Sequence, residues 1–374
     1  MRNYTNTGFL VPSDIVRLKD IFNENGFGLF IVGGAVRDFI MGDKPKDYDL
    51  CTNATPDQIK NMLKGSYRLD LVGEHFGVVI VYTPETPEGM EVATFREDIS
   101  KGRNPEVKFG DVTIEQDVLR RDITINGLFF DLDKNEIIDL VGGISDLKNG
   151  VIRMIGDPME RIEEDPLRIF RVLRFATRYG FIIENGTREA ILKYNDVSAV
   201  SMERIWDISN GEFFKSLKQA KIFQNFLDLV TSFGLWTQIL PDIKVNTKLS
   251  SEKNDTLIMA QILSSNSIDV IANLKNISLP MSILNKIVFL KRMLDFSPEN
   301  VTNLFKEKKR CKIEDSTILE WLLIWGVKDE MAFKFLKFKP SVDSQQVMND
   351  FGLSPSKELG DKIKELETEL FLTL

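Results

Sequence analysis

The sequence predicts an α+β protein: a mixed strand-and-helix head followed by an all-helical remainder. Between residues 30 and 139, short runs of β-branched and aromatic residues are punctuated by glycine, proline and aspartate, the pattern of strands and turns. Beyond Gly142-Gly143 the apolar spacing turns helical almost throughout. At 374 residues the chain is also long for a single compact core, so two or more domains are expected.

The elements follow in order. Ser13 to Asn25 reads as an amphipathic helix, capped by Ser13, with Ile15, Leu18, Ile21 and Phe22 at helical spacing. Phe30-Ile31-Val32 is a buried strand halted by Gly33-Gly34, and Ala35 to Met41 is a brief helix stopped by Gly42. Asp43 to Lys46 forms a polar loop, after which Asp47-Tyr48-Asp49-Leu50 is extended. Thr55 caps a second helix, Gln58 to Leu63, with Pro56 in its first turn. Phe76 to Tyr82 is a strand, Thr83 to Gly89 a turn, and Met90 to Arg96 the returning strand. Glu97 to Val112 is polar and reads as a mobile loop. Arg120-Arg121-Asp122 leads into Ile123 to Leu128, and a hairpin follows from Phe129 to Asp139. Asp165 then caps a helix whose first residue is Pro166.

Three stretches carry chemistry. In a strand, Asp47 and Asp49 project to the same side, roughly 7 Å apart at Cα. Two carboxylates that close repel unless a cation lies between them, and hard oxygen ligands suit Mg²⁺. The N–H groups of Gly33-Gly34 and the following helix N-terminus form an anion site sized for a triphosphate. Glu91, an acid within an otherwise strand-forming run, is a candidate third carboxylate. In Glu163 to Arg178, Ile169, Phe170, Val172, Leu173 and Ala176 cover one helix face, while Arg168, Arg171, Arg174 and Arg178 gather on the opposite one. Four arginines and no lysine suit base edges and phosphates better than mere solubility. Two basic runs, residues 306–312 and 333–340, are the best places for nucleic-acid backbone-phosphate contacts: Lys306, Lys308, Lys309, Arg310 and Lys312 in the first, lysines interleaved with phenylalanines in the second.

Composition narrows the classes. No segment approaches the ~18 consecutive apolar residues of a membrane span. Met1 to Asp14 shows neither a signal-peptide core nor an Arg-rich presequence, so a cytoplasmic protein is expected, or an organellar one after removal of a presequence. Cys51 and Cys311, far apart, suggest reduced thiols. The single histidine, His75, excludes His-cluster zinc sites and other chemistry that needs several imidazoles. A net charge of −8 argues against indiscriminate nucleic-acid binding, so a nucleic-acid partner would have to meet a segregated basic surface.

Taken together these stretches resemble, in order, the motifs of the nucleotidyltransferase family that includes class II CCA-adding enzymes and bacterial poly(A) polymerases. Gly33 to Asp38 with Asp47 and Asp49 looks like the catalytic motif A, and Glu91 to Arg96 like the strand that supplies the third acid. Arg120 to Asn126 resembles motif B, which contacts ribose and phosphates. Asp139, Gly142-Gly143 and Asp146-Leu147 resemble the hinge motif C, and Glu164 to Arg168 resembles motif D, the amino-acid template for the incoming base. Ser201 to Trp206 resembles motif E, with Ile208 where the family carries glutamate. Phe351 to Gly360 is similar to a tail segment of class II CCA-adding enzymes. No His-rich phosphohydrolase appendage, carried by some relatives, can be built from one histidine.

The resemblance implies a polymerase-β-like nucleotidyltransferase head over residues 1–140. It also implies a helical neck for base recognition over 141–210, and a helical body and tail that bind tRNA over 211–374. It implies Asp47, Asp49 and Glu91 as catalytic residues, with Asp47 and Asp49 holding Mg²⁺. Gly33, Gly34, Arg37, Arg121, Asp122, Asn126, Asp165, Arg168, Arg171 and Arg174 are the implied nucleotide-binding residues. The expected activity is addition of CCA to the 3′ end of tRNA from CTP and ATP. Poly(A) polymerase activity and partial A- or CC-addition are the alternatives.

Overall fold

The computed structural model describes residues 2–5, 8–71, 73–100, 106–207, 210–248, 255–272, 274, 281–294, 338 and 341–373. The chain divides into two compact units, Met1–Val200 with Lys215–Leu235, and Ser201–Phe214 with Trp236–Leu374.

The first unit begins with β1 (Arg2–Thr5), α1 (Ser13–Glu24), β2 (Leu29–Val32), α2 (Gly34–Ile40), β3 (Asp49–Thr52) and α3 (Pro56–Leu63). Next come β4 (Arg68–Asp70), β5 (Val78–Tyr82), β6 (Met90–Thr94), β7 (Glu97–Asp98), β8 (Val107–Lys108) and α4 (Ile114–Leu119). The hairpin β9 (Leu128–Asp131) and β10 (Glu136–Asp139) closes the strand-rich part. Eight of these strands form one sheet in the order β1-β10-β9-β2-β3-β6-β5-β4. Most neighbours are antiparallel, but β3 and β6 run parallel with Leu50 opposite Val92. Successive residues of these central strands enter opposite faces. Val32, Cys51 and Phe129 join Phe95, Val112, Val118, Ile138 and Ile155 in one apolar cluster. Ile31, Leu50 and Val92, also buried, belong to the other face.

Local chemistry accounts for most boundaries. α3 starts in a capping box in which Thr55 accepts from the Gln58 N–H and the Gln58 side chain accepts from the Thr55 N–H at 2.8 Å. Between β2 and α2, Gly33 has φ 67° and ψ −116°, a conformation closed to residues with a Cβ. Gly143 is required for a different reason: a Cβ there would sit 2.3 Å from the Thr124 carbonyl oxygen.

The remaining elements of this unit are α5 (Gly143–Asn149), β11 (Val151–Ile152), α6 (Pro158–Glu164), α7 (Leu167–Tyr179), β12 (Ile182–Ile183) and α8 (Asn185–Lys193). In the second unit α9 (Met202–Trp206) leads to α10 (Glu212–Gln219), which crosses back into the first, where α11 (Phe223–Ser232) follows. The second unit continues with α12 (Trp236–Ile239), α13 (Asp255–Ile262), α14 (Ile268–Ala272), α15 (Met281–Leu294), α16 (Ser344–Phe351) and α17 (Lys357–Thr373). Its aromatic core has Trp206 fully buried, 4.4 Å between centroids from Phe213, with its indole N–H donating to the Ile239 carbonyl at 3.3 Å. Gly352, at φ 64°, ends α16, and Lys362 of α17 lies 4.7 Å over the Phe351 ring. No helix among the described residues is long and apolar enough to cross a membrane.

The α+β class holds, with four local corrections. Ser13 does not cap α1: Pro12 takes that place, and the Ser13 hydroxyl donates to Glu85 instead. Residues 97–112 are not all loop, because Glu97 pairs with Lys108 and Asp98 with Val107, an arrangement braced by Arg96 on Asp98 at 3.1 Å. Strands do not end at Asp139: β11 and β12 pair in parallel within the helical part. Asp47 lies before β3 and not within it. Ile208, the basic cluster 306–312, and all of the 333–340 run except Phe338 lie outside the described residues.

Candidate active site

Asp49 is the first residue of β3, and Glu91 precedes Val92 on β6. Because Leu50 opposes Val92 in a parallel pair, Asp49 and Glu91 occupy equivalent positions and share a face. Both are exposed, as is Asp47. Packing around Asp49 still removes enough water to push its pKa up, and the negative charges of Glu91 and Asp47 push the same way, against Arg121 and Arg37. A carboxylate that ionises against its surroundings is one that a cation would relieve. Among the described residues, no group of three or more acidic, histidine or cysteine side chains is arranged to hold a metal ion by itself. The exposed carboxylate oxygens of Asp47 and Asp49 are hard donors of the type that suits Mg²⁺.

Arg121 approaches Asp49 from the same face, held by the turn after α4. Its Nε and Nη2 donate to Asp117 Oδ2 at 3.1 and 2.8 Å, and its guanidinium lies 4.9 Å over the Phe129 ring. Asp117 is fully buried and also accepts from Arg120 Nε at 2.8 Å and the Arg96 N–H at 3.2 Å. Burial alone would raise its pKa, but Arg121 and Arg120 overcome this and hold it below the usual carboxylate range. Asp117 was absent from the sequence-derived site. Its signal was the spacing of an acid three and four residues before two arginines.

A second network begins on α2. Arg37 is buried; its Nε and Nη2 donate to Asp38 at 3.0 and 2.8 Å and its Nη1 to Asn126 Oδ1 at 2.5 Å. Asn126 donates on to Asp122 Oδ1 at 3.3 Å, and Asp122 Oδ2 receives Arg171 Nε at 2.8 Å. Burial would raise the Asp122 pKa, yet Arg171 and the hydrogen bonds from Ile123 and Asn126 lower it. The implied motif A and B residues are thus joined side chain to side chain with each other and with Arg171 of α7.

At the start of α7, Pro166 takes the cap position expected of Asp165 and the helix begins at Leu167; Asp165 instead ends α6, and its Oδ1 accepts from the Leu167 N–H at 3.2 Å. Arg168 Nη1 donates to Glu164 at 2.7 Å and to the Arg161 carbonyl at 2.9 Å, while its Nη2 reaches the Arg120 carbonyl at 3.3 Å. This lays Arg168 against the turn that presents Arg121.

Three expectations change here. The Gly33 N–H is not available to an anion, since it donates to the Leu128 carbonyl at 3.0 Å as the sheet closes over the turn. The arginines of α7 do not gather on one face open to a ligand: Arg174 is buried, 4.8 Å over the Phe175 ring, because α7 is covered on more than one side. Arg37, expected at the nucleotide, has its guanidinium enclosed by Asp38, Asn126 and two aromatic rings.

Comparison with known proteins follows the same outline. Residues 29–153 match the model of the poly(A) polymerase head domain. Poly(A) polymerase I of Salmonella typhi is 35% identical over 232 residues, 56% of this chain and 49% of that enzyme. The chain spans about half the length of the curated poly(A) polymerases it matches. A CCA-adding enzyme of Lactococcus lactis subsp. cremoris is 28% identical over 387 residues, 96% of this chain and 93% of that one. The crystal structure of the Bacillus stearothermophilus CCA-adding enzyme in complex with CTP shares the fold with a TM-score of 0.75 at 22% identity, covering 97% of this chain and 94% of its own. Over residues 29–153 the chain is thus similar to the poly(A) polymerase head domain, and over the lengths given it is similar to CCA-adding enzymes and bacterial poly(A) polymerases.

Proposed function

We propose that this protein adds C-C-A to the 3′ end of tRNA, taking CTP and ATP and releasing pyrophosphate. The observation that carries this reading is the clustering of Asp49 with Glu91 and Asp47 beside Arg121, next to the Asp165–Arg168 turn. Acids that want a cation stand on one side, and hydrogen-bonding groups suited to a base edge on the other. The choice of C-C-A over poly(A) rests on reach: the CCA-adding relative matches almost end to end, the poly(A) polymerases over about half their length.

In this reading residues 1–140 are the nucleotidyltransferase head, 141–210 the neck, and 211–374 the body and tail that grip tRNA. Asp47 and Asp49 hold Mg²⁺, with Glu91 completing the acidic face. The bound ions supply charge neutralisation of the triphosphate and a lower pKa for the RNA 3′-hydroxyl. Arg121, fixed by Asp117, meets the phosphates as a pre-oriented fork. Asp165 accepts from the exocyclic amine shared by cytosine and adenine, and Arg168 donates to the neighbouring ring acceptor. Uracil and guanine present an acceptor in place of that amine, so a carboxylate is left facing an oxygen, at a cost of roughly 1–3 kcal/mol. The cytoplasm, or another compartment holding immature tRNA with CTP and ATP, is where such an enzyme works.

The test offers tRNA lacking its 3′ end with CTP alone, ATP alone and both, alongside an unstructured oligonucleotide, and reads products on a sequencing gel. A finite three-nucleotide extension confined to tRNA is expected. Long adenylate ladders on both RNAs would place the chain with the poly(A) polymerases instead.

A further inference from the structure

Residues 171, 175 and 179 fall on one stripe of α7, at successive intervals of four. Phe175 and Tyr179 stack with centroids 6.3 Å apart and planes 12° apart. The Arg37 guanidinium lies 5.4 Å from the first ring and 5.3 Å from the second. The Tyr179 hydroxyl adds a long contact of 3.4 Å to Asp38, the carboxylate that also holds Arg37. From Arg37 the hydrogen bonds run through Asn126 and Asp122 to Arg171, and so return to the helix they left.

We infer that Phe175 and Tyr179 are positioning residues: a two-ring clamp on Arg37 that closes a circuit between α2, the Asp122–Asn126 turn and α7, and so fixes the base-reading start of α7 relative to Asp49. The physical case rests on where the charge sits. Arg37 is 4% exposed, so its guanidinium has exchanged water for one carboxylate, one amide and two π faces, and each offsets part of the cost of burying it. Arg37 can hold Asn126 only if the rings hold Arg37. Asn126 and Arg171 share Asp122, so a displaced Arg37 is transmitted to the middle of α7 by contacts with little freedom to adjust. Neither ring touches the acidic face, which is why the role is positioning and not catalysis. Ring planarity, more than the hydroxyl, does this work.

The consequence for nucleotide choice rests on the proposed function, and the clamp itself does not, so two readouts are needed. Amide hydrogen exchange of residues 34–40 and 122–126 is compared in wild type, Tyr179→Leu and Tyr179→Phe without substrate. Faster exchange in both segments in Tyr179→Leu, at least ten-fold, with Tyr179→Phe like wild type, supports the clamp; unchanged protection in Tyr179→Leu overturns it. On truncated tRNA, Tyr179→Leu is expected to raise UMP relative to CMP incorporation about ten-fold and lower kcat, with Tyr179→Phe restoring both. A general loss of stability would slow addition without altering that ratio, and an unchanged ratio overturns the positioning role. Arg37→Lys supplies the second variant: combined with Tyr179→Leu it should be no worse than either alone, whereas multiplicative losses would show independent sites and overturn the circuit. A wild-type protein that adds nothing to tRNA refutes the proposed function, and the exchange experiment then decides the clamp.

Discussion

Replacing Asp117 with alanine should destabilise the first unit more than any surface substitution near the site. The side chain is fully buried and accepts from Arg120, Arg121 and the Arg96 N–H. Its removal leaves two guanidinium groups, with side chains 20% and 15% exposed, without their shared counter-ion. Breaking a buried pair from one side costs about 3–5 kcal/mol. The orphaned Arg96 N–H would add about 1–3 kcal/mol if nothing moved, but the arginines can swing toward water and recover part of the loss. About 4 kcal/mol is the working figure, and for a unit of this size it lowers the thermal midpoint by roughly 8–16 °C. Asp117→Asn, which keeps the shape and one acceptor but not the charge, should lose about half as much. The pH dependence has a definite sign. The folded pKa of Asp117 is depressed, so its stabilisation is complete above the unfolded value, about 3.9, and is lost as pH falls through the folded one. Thermal and urea unfolding of wild type and both variants, from pH 7 down to pH 3, is the assay. A loss below about 1 kcal/mol at pH 7, or a gap that does not shrink in acid, would refute the reasoning. The alanine variant should also raise the KM for nucleotides, because Arg121 is no longer held under Asp49.

Asp47→Ala or Asp49→Ala should abolish nucleotide addition while tRNA binding persists in a filter or gel-shift assay; near-normal turnover in Mg²⁺ would remove the metal assignment. Asp49→Asn should in addition raise the thermal midpoint of metal-free protein at pH 7 but not at pH 3. Its raised folded pKa makes ionisation a penalty, absent below the unfolded value and complete above the folded one, so a midpoint unchanged at both pH values contradicts this. Asp165→Ala or Arg168→Ala should relax base choice, shifting the UTP-to-CTP ratio of kcat/KM by about five- to a hundred-fold. Uniform slowing would mean that the first is only an acceptor for the Leu167 N–H and the second only a brace to Glu164. EDTA should stop addition and Mg²⁺ restore it, while a zinc-selective chelator used with excess Mg²⁺ should change nothing; restoration by zinc alone would be the contrary result.

Much of the fold and the centre of the candidate site were legible in the sequence because they depend on near neighbours. The Thr55 cap, the Gly33 turn and the acid at Glu91 are set by residue types within a few positions of one another. Alternation along strands also placed Glu91 correctly among apolar neighbours, and the switch from strand to helical spacing marked where the sheet ends. What pattern cannot carry is the identity of the surface that packs against a given side. The spacing of arginines on α7 described a basic stripe, but Arg174 is buried and Arg171 is paired because other segments of the chain cover that helix. Arg37, implied as a nucleotide-binding residue, is instead packed beside Phe175 and Tyr179, more than a hundred residues away. The Gly33 N–H looked free until the sheet supplied the Leu128 carbonyl. Sequence fixes which groups a segment offers. Whether an offered charge or N–H meets water, a ligand or another part of the chain is decided by long-range packing, since burial removes the competing water and only tertiary contacts can replace it.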